Sequence, residues 1–241
     1  MRASSIASNT SDSPKGPAVV TFFVGKGGGG KTTTAWNLAV VSSLLGTSVA
    51  CIDADPQHSL HDCWRLRAGA DIPVRRCAPH ELQQVLGLAR RRFETVFVDM
   101  PPAVSAPALA AMAAADLVVL PSRPTRLDLA VTCEWLKLLR STAVRRVGIV
   151  LNAAPPRRDN RDAPMVRDAR DALSGFGALL WRGQVTHRHA VADALVGGQG
   201  VAEYAPNSPA VVEYEALRRA VVRVILGPTG TTRRIADAPL A

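Results

Sequence analysis

One glycine-rich stretch constrains the fold of this chain more than any other feature of its sequence. The run Gly25-Lys26-Gly27-Gly28-Gly29-Gly30-Lys31-Thr32-Thr33 contains the pattern G-x-x-x-x-G-K-T from Gly25 to Thr32. An apolar run at 18–24 precedes it, and a segment with helical spacing follows at 32–45. A strand, a glycine-rich turn and a helix in this order are typical of a phosphate-binding P-loop.

The composition of this loop suits phosphate chemistry. Backbone N–H groups must converge on phosphate oxygens, and side chains larger than hydrogen would block that approach. The helix that follows adds its partial positive charge. We therefore expect Lys31 to reach the β- and γ-phosphates and the Thr32 hydroxyl to bind Mg²⁺. The residues expected to bind the cofactor here are Gly27, Gly28, Gly29, Gly30, Lys31, Thr32 and Thr33.

The rest of the chain alternates between apolar runs and helical patterns. Strand-length runs lie at 18–24, 48–53, 94–99, 117–121 and 145–152, and helical spacing at 32–45, 79–92, 105–115, 126–140, 164–174 and 208–226. Apolar strands without polar alternation are covered on both faces, and repeated strand–helix units form parallel sheets. We predict a single-domain α/β P-loop NTPase over 18–226, with a mostly parallel twisted sheet and helices on both faces. Residues 1–17 and 227–241 are predicted to be disordered or flexible tails.

Acidic residues follow two of the predicted strands. Asp53-Ala54-Asp55-Pro56-Gln57 ends the second, and Asp99 ends the run from Glu94. Parallel strands deliver their carboxyl ends to the ligand crevice, so these carboxylates are expected beside the phosphates. An aspartate after an apolar strand is a Walker B candidate that holds Mg²⁺ through water.

Together these motifs resemble the ParA/MinD group of deviant Walker ATPases. The shared patterns are K-G-G-x-G-K-T-T from Lys26, D-x-D-P-Q from Asp53, and a strand ending in Asp99. The family typically has D-T-P-P after that strand, whereas this chain has D-M-P-P, so Met100 removes a hydroxyl. The resemblance spans roughly 18–226 and implies a weak, Mg²⁺-dependent and partner-stimulated hydrolysis of ATP to ADP and phosphate.

The resemblance also implies roles for individual residues. Lys26 would cross a dimer interface to the phosphates of the partner subunit, so that ATP binding drives homodimer formation. Asp55 would orient the attacking water, and Asp53 would support the Mg²⁺ shell. Asn152 would contact adenine. The implied catalytic residues are thus Lys26, Lys31 and Asp55, and the implied metal site consists of Thr32, Asp53 and Asp99.

The charge balance favours a polyanionic partner. Lysine and arginine number 29 against 20 acidic residues, which gives a net charge of +9. Such a charge suits nucleic acid or an anionic membrane surface, and the alternative is a solvated basic surface with no such partner. The resemblance implies DNA binding without sequence preference, for which the candidates are Arg182, Arg188, Arg218, Arg219 and Arg223.

The expected function is ATP-dependent partition. A dimer on nucleoid DNA would segregate a plasmid or chromosome through a ParB-like or other centromere-binding adaptor. The chain has no apolar run long enough to span a membrane and no secretory signal, and its cysteines form no C-x-x-C pair, so we expect a cytoplasmic, nucleoid-associated protein.

Other functions fit parts of the pattern less well. A MinD-like switch or another ParA-type ATPase would position a non-DNA cargo or act at a membrane, but 227–241 lacks an amphipathic helix pattern. A redox ATPase would need paired cysteines, and only Cys133 lies beyond Asp99. A module that binds ATP without turnover is disfavoured by Asp55. His58, His61 and Cys63 lack a second ligand pair for a metal site.

Overall fold

A seven-stranded parallel sheet forms the centre of the protein. The computed structural model describes residues 17–67, 71–103 and 105–227. The sheet order is β3-β2-β4-β1-β5-β6-β7, and every pairing is parallel. The strands are β1 (Ala18–Phe22), β2 (Val49–Asp53), β3 (Val74–Arg76), β4 (Thr95–Asp99), β5 (Leu117–Ser122), β6 (Val147–Leu151) and β7 (Leu179–Leu180).

Nine helices are found in the described residues, and they cover both faces of the sheet. They are α1 (Lys31–Leu44), α2 (Ser59–Leu66), α3 (Leu82–Ala89), α4 (Ala106–Ala113), α5 (Arg126–Arg140), α6 (Pro164–Ser174), α7 (His189–Val196), α8 (Val201–Tyr204) and α9 (Pro209–Leu226). Among these residues, no helix combines the length and apolar character needed to cross a bilayer.

The sheet divides the hydrophobic core into two layers. Alternate strand residues point to opposite faces: Val19 and Val98 belong to one layer, and Val20 and Phe97 to the other. Helices α3 to α6 complete the first layer, and α1, α2 and α7 to α9 complete the second. Because both faces are covered, the strands show the continuous apolar runs seen in the sequence.

The sheet order creates the crevice in which the site forms. After β1 the chain builds β2 and β3, returns to place β4 beside β1, and then continues to β5 on the other side of β1. The connections therefore diverge at β1, and parallel sheets bind ligands at the carboxyl ends of strands where such a divergence occurs.

Helix α1 is anchored in the second layer by polar contacts as well as apolar ones. The Trp36 side chain is fully buried, and its Nε1 donates to the carbonyl of Gly198 at 3.1 Å. Asn37 donates to the carbonyl of Thr33 and accepts from the N–H of Val201. These contacts join α1 to the segment around α8 and fix the helix that carries the phosphate loop.

The predicted elements are confirmed in the main, with differences in bounds and in short elements. Strand β1 ends at Phe22 instead of 24, and α3 covers Leu82–Ala89 instead of 79–92. Strands β3 and β7 and helix α8 have no counterpart in the prediction, because segments of two to four residues carry too little periodicity. Helices α2 and α7, of eight residues each, are not predicted either. The predicted tails at 1–17 and 227–241 lie, apart from residues 17 and 227, outside the described residues.

Candidate nucleotide-binding site

The glycine-rich loop occupies the predicted position between β1 and α1. Gly28 and Gly30 have φ values of 76° and 93°, in the left-handed region that glycine adopts without strain. Gly30 is the N-cap of α1 and supplies no side chain to the helix N-terminus. A Cβ built on Gly27 would meet no atom within 4 Å. The loop thus leaves open space beside Gly27, whereas Val24 and Asn152 pack against Gly29 and Gly30.

Lys31, the first residue of α1, lies within the fold. Its side chain is only 7% exposed, and Nζ is 4.0 Å from Oδ2 of Asp55. A lysine so strongly buried needs a negative partner, and the long distance to Asp55 leaves Nζ weakly compensated. This arrangement suits an ammonium group that completes its contacts on a phosphate.

Thr32 and Asp99 form a close pair at the ends of α1 and β4. The Thr32 hydroxyl donates to Oδ2 of Asp99 at 2.5 Å. Asp99 is fully buried, and its Oδ1 has no hydrogen-bond partner. Burial raises the pKa of Asp99 to about 7, against the lowering effect of the Thr32 hydrogen bond.

These observations fit a divalent cation. A buried carboxylate oxygen without a partner is costly, and a cation with oxygen ligands would satisfy it. A hydroxyl and a carboxylate are the hard oxygen donors that Mg²⁺ prefers, and they stand next to the phosphate loop. Thr32 and Asp99 are therefore brought together as the sequence predicts, and the donor set matches Mg²⁺.

Asp53 and Asp55 both lie at the same end of the sheet but make different contacts. Asp53 accepts from the N–H groups of Asp55 at 3.1 Å and His61 at 2.9 Å, so both its oxygens hold the segment leading into α2. Burial raises the pKa of Asp53, although these two hydrogen bonds oppose the shift. Asp55 accepts from the N–H of Gln57 and faces Lys31. The expected support of Mg²⁺ by Asp53 stays a prediction.

Lys26 is bonded within its own subunit. Its Nζ is 2.6 Å from Oδ1 of Asp128, whose side chain is 8% exposed. The hydroxyl of Thr125, the N-cap of α5, donates to the other oxygen of Asp128. Burial alone would raise the pKa of Asp128, but the hydrogen bonds from Lys26 and Thr125 outweigh it and hold that pKa below its usual value.

Asp128 is a site residue that sequence reasoning missed. The available signal was Thr125 followed three residues later by an acid, which is a helix-start pattern at α5. That pattern explains Asp128 as part of a cap, and nothing in the sequence pairs it with a lysine about a hundred residues earlier. Only the packing of α5 beside the loop brings the two residues together.

Two further side chains contact the loop backbone. Nη2 of Arg123, an exposed residue after β5, donates to the carbonyl of Gly28 at 2.6 Å. Nδ2 of Asn152, which follows β6, donates to the carbonyl of Gly29 at 3.1 Å and lies against Gly30. Sequence reasoning missed Arg123 and expected Asn152 at the adenine, which stays a prediction. The structure adds a contact from Asn152 to the loop itself.

The five arginines proposed for DNA do not form one exposed stripe. Arg182, Arg219 and Arg223 are exposed. Arg188 pairs with Glu213 at 2.7 Å. Arg218 is half-buried and donates to the hydroxyls of Ser42 and Thr47. The Arg218 side chain thus reaches back to α1 and the loop that follows it, and its contact with DNA stays a prediction.

The fold and this site define a P-loop nucleotide-binding protein. Residues 20–199 match the family model described as the CobQ/CobB/MinD/ParA nucleotide binding domain. The chain belongs to this family and is a P-loop ATPase of the ParA/MinD type, as its motifs indicate.

Curated relatives and solved structures agree with this assignment. The maintenance of carboxysome distribution protein A of Gloeobacter kilaueensis is 35% identical over 201 residues, covering 73% of this chain and 90% of that protein. The chromosome-partitioning ATPase Soj of Thermus thermophilus is 26% identical over 236 residues, covering 82% and 92%. The septum site-determining protein MinD of Pyrococcus horikoshii, solved with Mg-ADP, has the same fold, with a TM-score of 0.69, 19% identity and coverage of 85% and 96%.

Proposed function

We propose that this protein is an ATP-switched homodimer that binds DNA without sequence preference and positions a cargo through an adaptor protein. The observation that carries the proposal is the pair of lysines at the two ends of the phosphate loop. The Lys31 side chain is only 7% exposed, whereas that of Lys26 is 34% exposed. A buried cation serves the subunit's own nucleotide, and an exposed one is available to a second subunit.

Each part of the site has a task in this scheme. The amides of Gly27 to Thr33 and the Lys31 ammonium bind the phosphates of ATP, and Asn152 contacts adenine with the polar atoms that the loop does not use. Thr32 and Asp99 hold Mg²⁺. Asp53 supports them because its hydrogen bonds order the segment that leads into α2. When bound, Mg²⁺ supplies charge neutralisation on the phosphate oxygens.

Hydrolysis and dimer formation are assigned to two further residues. Asp55 orients the attacking water, for which its position opposite Lys31 at the phosphate end of the sheet is suitable. Lys26 leaves Asp128 and binds the phosphates in the partner subunit. Because a cation supplied by the partner offsets phosphate charge, ATP stabilises the dimer, and its hydrolysis releases it.

DNA binding rests on charge. The net charge of +9 and the exposed Arg182, Arg219 and Arg223 support contacts to phosphates that carry no sequence information. Arg188 and Arg218 already bond to other residues of the chain. They would contribute mainly by adding positive charge to the surface and less by direct contact with DNA. The proposal places the protein on the nucleoid, in the cytoplasm.

Two kinds of cargo are supported by different relatives. A plasmid or chromosome with a ParB-like centromere-binding adaptor follows from the likeness to Soj, which is named for chromosome partitioning. A protein assembly is the second candidate, because the relative with 35% identity is named for carboxysome distribution. In both cases the switch is the same and the adaptor differs.

The switch is tested with the full chain and two variants. Light scattering coupled to gel filtration should show a dimer with Mg·ATP and a monomer with ADP or without Mg²⁺. Asp55→Ala should lose hydrolysis yet keep the ATP-bound dimer, whereas Lys26→Ala should bind ATP and remain a monomer. A wild-type chain that stays monomeric when saturated with Mg·ATP would refute the proposal.

The proposed DNA binding is tested by a separate measurement. Fluorescence anisotropy with a random-sequence duplex should show binding that requires ATP and weakens steeply with salt. The double variant Arg182→Glu and Arg223→Glu should weaken it, and Arg91→Glu with Arg92→Glu, an exposed pair after α3, serves as the charge-matched control. DNA binding that is equal with and without ATP would contradict the nucleotide switch on DNA.

A further inference from the structure

A second concave surface runs along α9. It consists of two cavities of about 550 and 350 Å³, and Trp181 and Ala216 line both, so the cavities form one groove. Helix α9 is one wall, and β7 with the loop that follows it is the other. We call this surface the α9 groove.

The larger cavity of the α9 groove carries positive charge without compensation. Arg182, Arg219 and Arg223 line it, and no acidic residue is among the side chains that surround it in the described structure. Glu215 lies 3.7 Å from Arg219, but both side chains are well exposed, and such a surface pair contributes little. The three guanidinium groups therefore remain available to an anionic ligand.

The smaller cavity differs, because its arginines are already paired. Arg188 bonds to Glu213 at 2.7 Å, and Arg157 bonds to Asp162 at 2.6 Å. Glu213 also accepts from the N–H and the hydroxyl of Thr186. The free charge of the groove is thus concentrated in the larger cavity, around α9 and Arg182.

The walls of the α9 groove are otherwise largely apolar. Leu179 is 47% exposed and Val212 is 63% exposed. Ala216, Ala220 and Val224 continue the same side of α9. Strand β7 has only two residues, so the sheet ends before it covers this side of the helix. A ligand of this surface must offer both negative charge and apolar side chains.

We propose that the α9 groove binds an acidic amphipathic segment of a partner protein. Apolar side chains of that segment pack between α9 and β7, and its carboxylates bond to Arg182, Arg219 and Arg223. Arg219 and Arg223 are one helical turn apart, which matches acids spaced by four residues on a facing helix. At 1.5 Å per residue the stretch from Val212 to Val224 is about 18 Å long, enough for a helix of about 12 residues.

The chemistry of the walls distinguishes this occupant from DNA. Duplex DNA presents phosphates outward and would satisfy the arginines, but it offers nothing to Leu179, Val212 or Val224. Single strands stack bases on exposed aromatic rings, and here Trp181 is half-buried against Gly183. The inference shares three arginines with the proposed DNA contacts but does not depend on ATP binding or on the dimer.

The test uses a fluorescein-labelled synthetic helix of about 14 residues, with leucines on one face and glutamates along its flanks. Anisotropy with the full chain should show saturable binding. Ala220→Trp, which fills the groove, and the double variant Arg182→Glu and Arg223→Glu should each weaken it by about tenfold or more. Ala172→Trp on the exposed side of α6, and Arg91→Glu with Arg92→Glu, are the matched controls and should leave it within about twofold.

Two further measurements can refute the proposal. Replacing the leucines by serines should abolish binding, and equal affinity of the serine peptide would show that only surface charge is involved. Ala220→Trp should leave the affinity for duplex DNA unchanged, and a parallel loss of DNA binding would assign the groove to nucleic acid instead. Thermal unfolding checks each variant, and Ala216→Leu replaces Ala220→Trp if the latter does not fold. A chain that fails to dimerise with ATP would refute the proposed function but leave these peptide results unaffected.

Discussion

Lys26 and Asp128 form a 2.6 Å ion pair that holds the first lysine of the phosphate loop against the start of α5. The aspartate is largely buried and is also held by Thr125, so its position is fixed by the helix cap. The lysine is the more exposed partner, and it is free to leave when a stronger anion is offered. This relationship makes the release of Lys26 a step in the proposed closure of the dimer.

Asp128→Asn should therefore favour the dimer. The amide keeps an oxygen for the Thr125 hydroxyl but removes the charge that holds Lys26, so the lysine leaves at lower cost. We expect the ATP-dependent dimer to form with an affinity about threefold higher, as suits a partly exposed ion pair. Sedimentation at several protein concentrations measures this, and the double variant with Lys26→Ala should show no such gain. An unchanged dimer affinity in Asp128→Asn would remove the pair from the switch.

Asp99→Asn should stabilise the nucleotide-free fold while it abolishes Mg²⁺-dependent hydrolysis. The pKa of Asp99 is about 7 in the fold and 3.8 in the unfolded chain, so the unfolded chain releases its proton first as pH rises. The unfolding free energy of the wild type therefore falls between about pH 4 and about pH 7, where the variant has no charge to bury.

The stability difference is measured by chemical unfolding without nucleotide or metal. Asp99→Asn should exceed the wild type by on the order of 4 kcal/mol near pH 8 and match it near pH 4. In the variant the asparagine oxygen still accepts from Thr32. The wild type and the variant each leave one polar atom of this side chain unpaired, so the difference in their unfolding free energies reports on the charge. A difference that does not change with pH would contradict the burial of an ionised carboxylate.

Gly30→Ala should mainly destabilise the fold, whereas Gly27→Ala should mainly weaken ATP binding. Gly30 has a φ of 93° and its missing Cβ would strike the amide of Asn152, so alanine should cost about 2 kcal/mol or more of stability. At Gly27 a Cβ meets nothing within 4 Å, so alanine should leave the melting temperature nearly unchanged and weaken ATP binding by occupying the phosphate space. Calorimetry with and without ATP separates the two, and an ATP affinity unaffected by Gly27→Ala would contradict this location of the phosphates.

Asn152→Ala should weaken the binding of ATP and GTP together. The lost hydrogen bond to the Gly29 carbonyl loosens the loop for either base, and a net loss of about 1 kcal/mol corresponds to roughly fivefold. Any additional loss for ATP over GTP measures the proposed adenine contact. Isothermal titration with both nucleotides gives the two numbers, and unchanged affinities would show that the amide supports neither the loop nor the base.

Arg123→Ala should weaken nucleotide binding without changing the fold. The guanidinium bonds to the carbonyl of Gly28 from the exposed side of the loop, so it steadies a left-handed residue and adds positive charge near the phosphates. We expect an ATP affinity lower by about threefold, with Arg126→Ala, an exposed arginine at the start of α5, as the matched control. Equal behaviour of the two alanine variants would remove Arg123 from the site.

Several parts of the site could be predicted from sequence because their chemistry is local. The glycines, Lys31 and Thr32 are contiguous in the chain, and the peptide geometry of a strand, a turn and a helix places them together. Asp99 could be predicted because an apolar strand ending in an acid has few alternatives in a parallel sheet. Elements such as β7 and α8 could not, because they are too short to show a period.

The sequence by itself determined the phosphate loop, the parallel sheet and the family, since each depends on residues adjacent in the chain or on a repeating apolar pattern. The tertiary structure alone decided that Asp128 holds Lys26, that Arg123 and Asn152 brace the loop, that Arg218 turns inward, and that α9 leaves a charged groove open. These relationships join residues far apart in sequence, and their free energy depends on which surfaces the packed helices bring within contact distance. No local pattern encodes that distance.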